Sequence, residues 1–295
     1  MAKRSQIEIF YTPKNAPKNL EIIVDDKFYG DSYSPADRKT TDDFWEKLLA
    51  ESKKNKTPEP TSPRVRATLD SVDKDGRVYC RTTDFRDYVA ISRIPEKLSE
   101  KARDGMRVAA VAAYLLTNDG YILVHKRSTK ATHSPGYLDS SCAGLCTVEK
   151  GKINPVKDIE GKLKAELGIE MKDVQEVKFT GVHSCAAPDF SGMFTYGLVT
   201  KLTNKEVEER VNKAMKEGKG GRLDSYELVK RDDLVKYLVD HYLVKKDMVA
   251  DGLTTLMGAL TNEEYEALLK KVKGSGIETR VGLLKDGVCV ERGKG

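Results

Sequence analysis

The chain has 295 residues, 39% hydrophobic and 33% charged, which is enough to bury a core without disulfides or a structural metal. Its 51 basic and 46 acidic residues are spread along the chain, with no block of five like charges and no basic–aromatic interleaving, so no dedicated nucleic-acid surface is indicated and a solvated, mildly basic surface is expected. The longest apolar run, Val108 to Leu116, is too short to span a bilayer, so no membrane partner is expected.

Residues 6–30 carry two strand patterns, "QIEIFY" and "LEIIVDDKFYG", and "DDFWEKLLAESKKN" follows as a helix with Asp42 or Asp43 as its cap. After a turn-rich linker, "RVRATLDSV" and "RVYCRTT" read as a hairpin about Lys74-Asp75-Gly76. "RVAAVAAYLLT" and "YILVHKRS" make a second hairpin about Asn118-Asp119-Gly120. A polar loop leads through "YLDSSCAGL" to the helix "NPVKDIEGKLKAELG", with Asn154 as cap, Pro155 at the first position and Gly168 as its stop. Val156, Ile159, Leu163 and Leu167 form its buried stripe. Mid-helix Gly161 costs about 1 kcal/mol relative to alanine.

Strands are then predicted at "EVKFTGVHSC", "MFTYGLVTKL" and "SYELVKR". Helices are predicted at "NKEVEERVNKAMKEG", "DDLVKYLVDHYL", "MVADGLTTLMGAL" and "TNEEYEALLKKVKG", and a last hairpin at "TRVGLLKDGVCVERG". Mixed strands and helices in this order imply an α/β or α+β sandwich. The five cysteines form no C-x-x-C pair, and Cys142 and Cys146 lack a histidine partner, so they read as buried thiols of a cytoplasmic protein. The first ten residues lack the apolar stretch of a signal peptide.

The succession "YLLTNDGYILVHKRS", "PGYLDSSCAG" and a Pro-started helix ending "ELGI" resembles the Nudix superfamily. The resemblance spans residues 105–260, which makes 1–104 an N-terminal α+β extension and 261–295 a C-terminal helix with a hairpin. It implies a Nudix-type α/β/α sandwich with a mixed sheet. "TDFRDYVAI" is also similar to a Tyr-containing segment of the UDP-sugar hydrolase branch. Such proteins hydrolyse a nucleoside diphosphate linked to another group, using Mg²⁺ or Mn²⁺ on a glutamate-rich helix, R-E-U-x-E-E-x-G-U with U aliphatic.

That helix is where this chain departs from the pattern. Anchored on "ELGI", the arginine position is Gly161 and the three glutamate positions are Lys162, Ala165 and Glu166. Gly144 fits the opening glycine, and Glu149 is the nearest upstream acid. No shift of register places acids at a position, three on and four on, which is what one helix face needs. A lysine ammonium about 4 Å from a dication would repel each unit of its charge by roughly 4 kcal/mol at an effective dielectric near 20. Lys162 and Glu166, four apart, are instead expected to pair.

The resemblance implies further site residues. Glu227 in "SYELVKR" maps to a strand carboxylate that could complete a metal site with Glu166 and Glu149. Lys126, Arg127, Lys162 and His133 are candidate contacts to a phosphorylated nucleotide-type ligand. Tyr137, at a position where the family often has a core tryptophan, is expected to pack, as are Trp45, Phe85 and Tyr88. Three readings stay open: a nucleotide-type ligand binder with weak or lost hydrolysis; an active Mg²⁺- or Mn²⁺-dependent hydrolase using displaced carboxylates drawn from Glu149, Asp158, Glu160, Glu166 and Glu227, with Glu166 and Glu227 as the catalytic candidates; and a non-catalytic interaction module. Oligomeric state is left open.

Overall fold

The computed structural model describes residues 7–11, 20–55, 66–73, 77–104, 106–129, 134–185, 191–218, 223–273, 279–285 and 288–291. Strands β1 (Ile7–Tyr11) and β2 (Ile22–Phe28) lead through a 3-10 turn (Tyr29–Ser32) to helix α1 (Pro35–Lys54). The helix starts earlier than Asp42 because Ser34 caps it, accepting from the Asp37 amide, with Pro35 at the first position. The hairpin of β3 (Arg66–Val72) and β4 (Val78–Thr83) is antiparallel as expected; its tip falls outside the described residues. "TDFRDYVAI" forms helix α2 (Phe85–Arg93), capped by Asp84, and the short α3 (Glu100–Asp104) follows.

Strands β5 (Val108–Leu116) and β6 (Tyr121–Arg127) turn at Asn118-Asp119-Gly120, where Gly120 takes φ +84°. Short strands β7 (Leu138–Asp139) and β8 (Cys142–Leu145) and the hairpin of β9 (Val148–Glu149) and β10 (Lys152–Ile153) precede helix α4 (Pro155–Leu167). Next come β11 (Val174–Cys185), β12 (Ser191–Thr200), α5 (Asn204–Lys216), β13 (Leu223–Lys230) and α6 (Leu234–Leu238). The pattern read as one helix from Asp232 onward passes at Val239–Lys245 into a π-helical segment, closed by Lys246 at φ +60°. Helices α7 (Ala250–Met257) and α8 (Asn262–Lys273) and strands β14 (Thr279–Lys285) and β15 (Val288–Glu291) complete the chain.

Among the described residues one sheet runs β15-β14-β1-β11-β12-β5-β3-β4-β2, with β5 also joined to β6 and β8, and β6 to β7 and β13. It is mixed: β5 runs parallel to β12 and antiparallel to β3, β6 and β8. The ladders β1–β11 and β3–β5 tie the N-terminal strands to the central ones, and β14 pairs with β1.

Helices cover both faces. Ile159, Leu163 and Leu167 of α4, with Val207 and Val211 of α5, pack on Val111, Leu123 and Phe194. On the other face α6, α7 and α8 pack on Tyr114, Ile122 and Val124. The alternation of Ile122, Leu123 and Val124 between the two cores is the two-residue period of a strand buried on both sides. That double burial also explains the unbroken apolar run of β5. The protein is an α/β/α sandwich, to which α1, α2 and α3 add a third core around Tyr29, Tyr88, Ile91 and Met106. No helix among the described residues is long and apolar enough to cross a membrane.

Candidate functional site

Helix α4 is built as its local signals require. The Asn154 side chain accepts from the Lys157 amide, Pro155 takes the first position, and Gly168 closes the helix at φ +67°. Burying Ile159, Leu163 and Leu167 fixes the rotation of the helix, so Lys162 and Glu166 flank the sheet, and Gly161 and Ala165 turn outward.

Lys162 has a built seat. Its stem lies over Gly144 of β8, so closely that a Cβ on Gly144 would stand 2.3 Å from Lys162 Cε. Only a glycine admits the lysine there. The Lys162 side chain is one-third exposed and its Nζ lies 3.7 Å from Oε1 of Glu166, itself 13% exposed. Where a metal-binding helix would present three carboxylates, this one presents an ammonium bedded on the strand and one acid facing it.

The other acids of the region are engaged separately. Glu149 pairs with Lys157 at 2.5 Å on the surface. Asp158 accepts from the Thr147 amide at 3.1 Å and so holds the start of the β9–β10 hairpin to α4. Glu227 is exposed on β13 and accepts from the Tyr237 hydroxyl of α6 at 2.9 Å. Its neighbours Tyr226 and Leu228 pack toward the α4 face, whereas Glu227 alternates with them and meets α6. Glu166 and Glu227 therefore lie on opposite faces of the sheet, and the structure does not bring them together. No group of three His, Cys, Asp or Glu side chains able to hold a metal occurs among the described residues. A hard dication takes its protein ligands from carboxylates and other oxygens. A single acid already facing a lysine does not fit that need.

The end of β6 is different in character. Arg127 donates from Nη1 to Asp139 Oδ2 at 2.7 Å, and both side chains are largely buried. Burial works against the arginine's charge; the Asp139 charge and its hydrogen bond together outweigh that and raise the Arg127 pKa. Asp139 Oδ1 also accepts from the Ser140 amide. Helix α7 presses on this point at Gly252, where a Cβ would come within 2.8 Å of Asp139 Cα. One residue earlier, Asp251 accepts from the Ser191 hydroxyl at 3.0 Å and meets His183 Nε2 at 3.2 Å, while the Thr254 hydroxyl lies 2.8 Å from the same nitrogen.

Two polar groups thus flank the sheet near one buried thiol. Burial pushes the Cys142 pKa up; Glu166 adds to this, Lys162 opposes it, and Asp139 raises it further. Among the expected site residues the structure brings Lys162 and Glu166 near Cys142, while Arg127 is held by Asp139. Lys126 is exposed on the same face of β6 as Ile122 and Val124, away from α4. His133 lies outside the described residues. Tyr137 departs from expectation: it stands one residue before β7 and is 42% exposed rather than packed. Tyr88 is buried, and Phe85 and Trp45 pack partly into the same core, as expected.

Sequence reasoning did not find Asp139, His183, Ser191 or Asp251. His183 and Ser191 meet Asp251 from distant parts of the chain, and Asp139 lies against α7 at Gly252, so no local spacing announces them.

No family model matches the chain, and no curated protein matches it. Among solved structures, the chain is similar to DR0079 from Deinococcus radiodurans, at 16% identity and a TM-score of 0.37, covering 68% of this chain and 97% of that one. It is also similar to a protein assigned to the nudix hydrolase family from Chromobacterium violaceum, at 15% identity and a TM-score of 0.29, covering 57% and 90%. A third similarity is to the MutT protein from Methanosarcina mazei Go1, at 11% identity and a TM-score of 0.28, covering 56% and 94%.

Proposed function

We propose that this is a Nudix-type protein that binds a phosphorylated nucleotide-type ligand, with Lys162 standing where relatives place a dication and with metal-dependent hydrolysis weak or lost. The observation that carries this reading is the seat of Lys162 on Gly144, facing Glu166. An ammonium held this way supplies one fixed positive charge at the corner where the resemblance puts the diphosphate. Its 3.7 Å separation from Glu166 is longer than a charge-assisted hydrogen bond of about 2.8 Å, so its donors are not spent on that acid. Arg127 is committed to Asp139 and contributes field more than direct contact.

The experiment is a thermal-shift titration of the whole protein with UDP-glucose and ADP-ribose, with and without Mg²⁺ or Mn²⁺. The reading predicts a ligand-dependent rise in Tm without metal that disappears in Lys162→Met. Metal-dependent product release, abolished by Glu166→Gln, would overturn it in favour of an active hydrolase with displaced carboxylates. Absence of any shift with either nucleotide would favour an interaction module.

A further inference from the structure

Away from the α4 corner, a small cavity lies between α7, α8 and the sheet, and the nucleotide reading does not use it. Its wall includes Thr180 and His183 of β11, Thr195 of β12, Thr254 of α7, Gly258 just past α7, and Tyr265 of α8. About 10 Å³ is open to the centre of a water-sized sphere, which is the room of one water and of nothing larger. Two backbone features make this room. The β11–β12 register slips between Phe179 and Gly181, so Thr180 is the extra residue of a bulge. At Gly258 a Cβ would stand 2.9 Å from Thr180 Oγ1, so a side chain there would crowd that hydroxyl.

The hydroxyl protons of the three threonines are already spent. Thr180 Oγ1 donates to Thr195 Oγ1 at 3.1 Å, and Thr195 Oγ1 donates to the Gly181 carbonyl at 3.1 Å. Thr254 Oγ1 lies 3.1 Å from the Ala250 and Asp251 carbonyls and 2.8 Å from His183 Nε2. A hydroxyl has one proton, so with Thr254 donating to a carbonyl it is His183 Nε2 that donates across the 2.8 Å contact. Each threonine oxygen therefore keeps a lone pair, and none keeps a proton to give. Tyr265 is the reverse. It is 5% exposed, and its hydroxyl has no hydrogen-bond partner among the described residues. Burial pushes its pKa up, so it stays a neutral donor. A buried donor without an acceptor is costly.

We propose that this cavity binds one resident water, which accepts a hydrogen bond from the Tyr265 hydroxyl and donates to two of the three threonine oxygens. Water fits because it both accepts and donates. An ammonium ion only donates, and leaves the tyrosine proton without an acceptor. A bare cation leaves it unmatched too, and buries a charge in a wall that contains no carboxylate. The water adds a polar tie between α8 and the threonine wall to the apolar packing of Tyr265, Leu268 and Val272.

A crystal structure of the whole protein should show an ordered water within about 3.2 Å of Tyr265 Oη and of two threonine oxygens. In solution, ¹⁷O relaxation dispersion counts the waters that stay bound for longer than the protein takes to tumble. Tyr265→Phe and Gly258→Ala should each hold one such water fewer than the wild type. The first removes the donor and the second fills the room. An empty cavity in the electron density, or an ion in it, overturns the proposal. An unchanged water count in Tyr265→Phe overturns it as well. If Gly258→Ala does not fold, the wild-type density and Tyr265→Phe, which keeps the ring, decide.

Discussion

The α4 corner and the α7 corner handle charge in opposite ways. At α4, Lys162 and Glu166 sit on one helix, partly in solvent and 3.7 Å apart, and α4's place rests on Ile159, Leu163 and Leu167 rather than on them. At α7, Arg127, Asp139, Asp251 and His183 come from separate elements and are largely buried, so packing and polar pairing there cannot be separated. Charges at the first corner are free to be exchanged for others, and those at the second are fixed by the fold. A site that loses its carboxylates can change chemistry without losing structure only if it resembles the first.

The largest expected effect comes from breaking the second corner. Asp139→Ala removes the carboxylate that accepts from the mostly buried Arg127 guanidinium, and loss of one partner of such a pair costs about 3–5 kcal/mol. Urea unfolding measures it; a loss within experimental scatter of zero would erase the contrast. Gly252→Ala should cost about 1–3 kcal/mol, because the new Cβ meets the backbone of Asp139 and α7 has to move.

At the first corner the effects shrink or reverse. Gly161→Ala should stabilise by about 1 kcal/mol, since a Cβ there meets nothing within 4 Å. If it destabilises instead, something covers that face in solution. Gly144→Ala sharpens the comparison in another way: the far end of Lys162 can swing aside, so stability should change little while nucleotide binding falls as far as in Lys162→Met. The smallest effect is the coupling of Lys162 and Glu166 themselves, about 0.2–0.5 kcal/mol in a double-mutant cycle.

What was legible in the sequence was local. Asn154, Pro155 and Gly168 bound α4, and Asn118-Asp119-Gly120 turns the β5–β6 hairpin, because each signal acts within a few residues. The start of α1 was equally local: Ser34, Pro35 and Asp37 form a cap that the apolar pattern farther along drew attention away from. Helix α2 was obscured by its aromatic and β-branched residues, although Asp84 caps the Asp87 amide in the usual way. The π-helical segment keeps helical periodicity, and the His241–Asp247 pair at 2.9 Å that follows its end carries no signal in the apolar pattern. At the candidate site, the lack of an acid face on α4, with Lys162 and Ala165 beside Glu166, was readable by register alone. The seat on Gly144 and the Asp139–Asp251 corner were not, because they arise from strands and helices brought together only by the sheet.

The most direct test is Mn²⁺ binding followed by electron paramagnetic resonance, comparing the wild type with Lys162→Glu/Ala165→Glu. We predict no specific Mn²⁺ site in the wild type at the α4 corner and a new one in the double variant, where acids return to positions 162 and 165 beside Glu166. A tight Mn²⁺ site in the wild type that vanishes in Glu166→Gln would contradict the account.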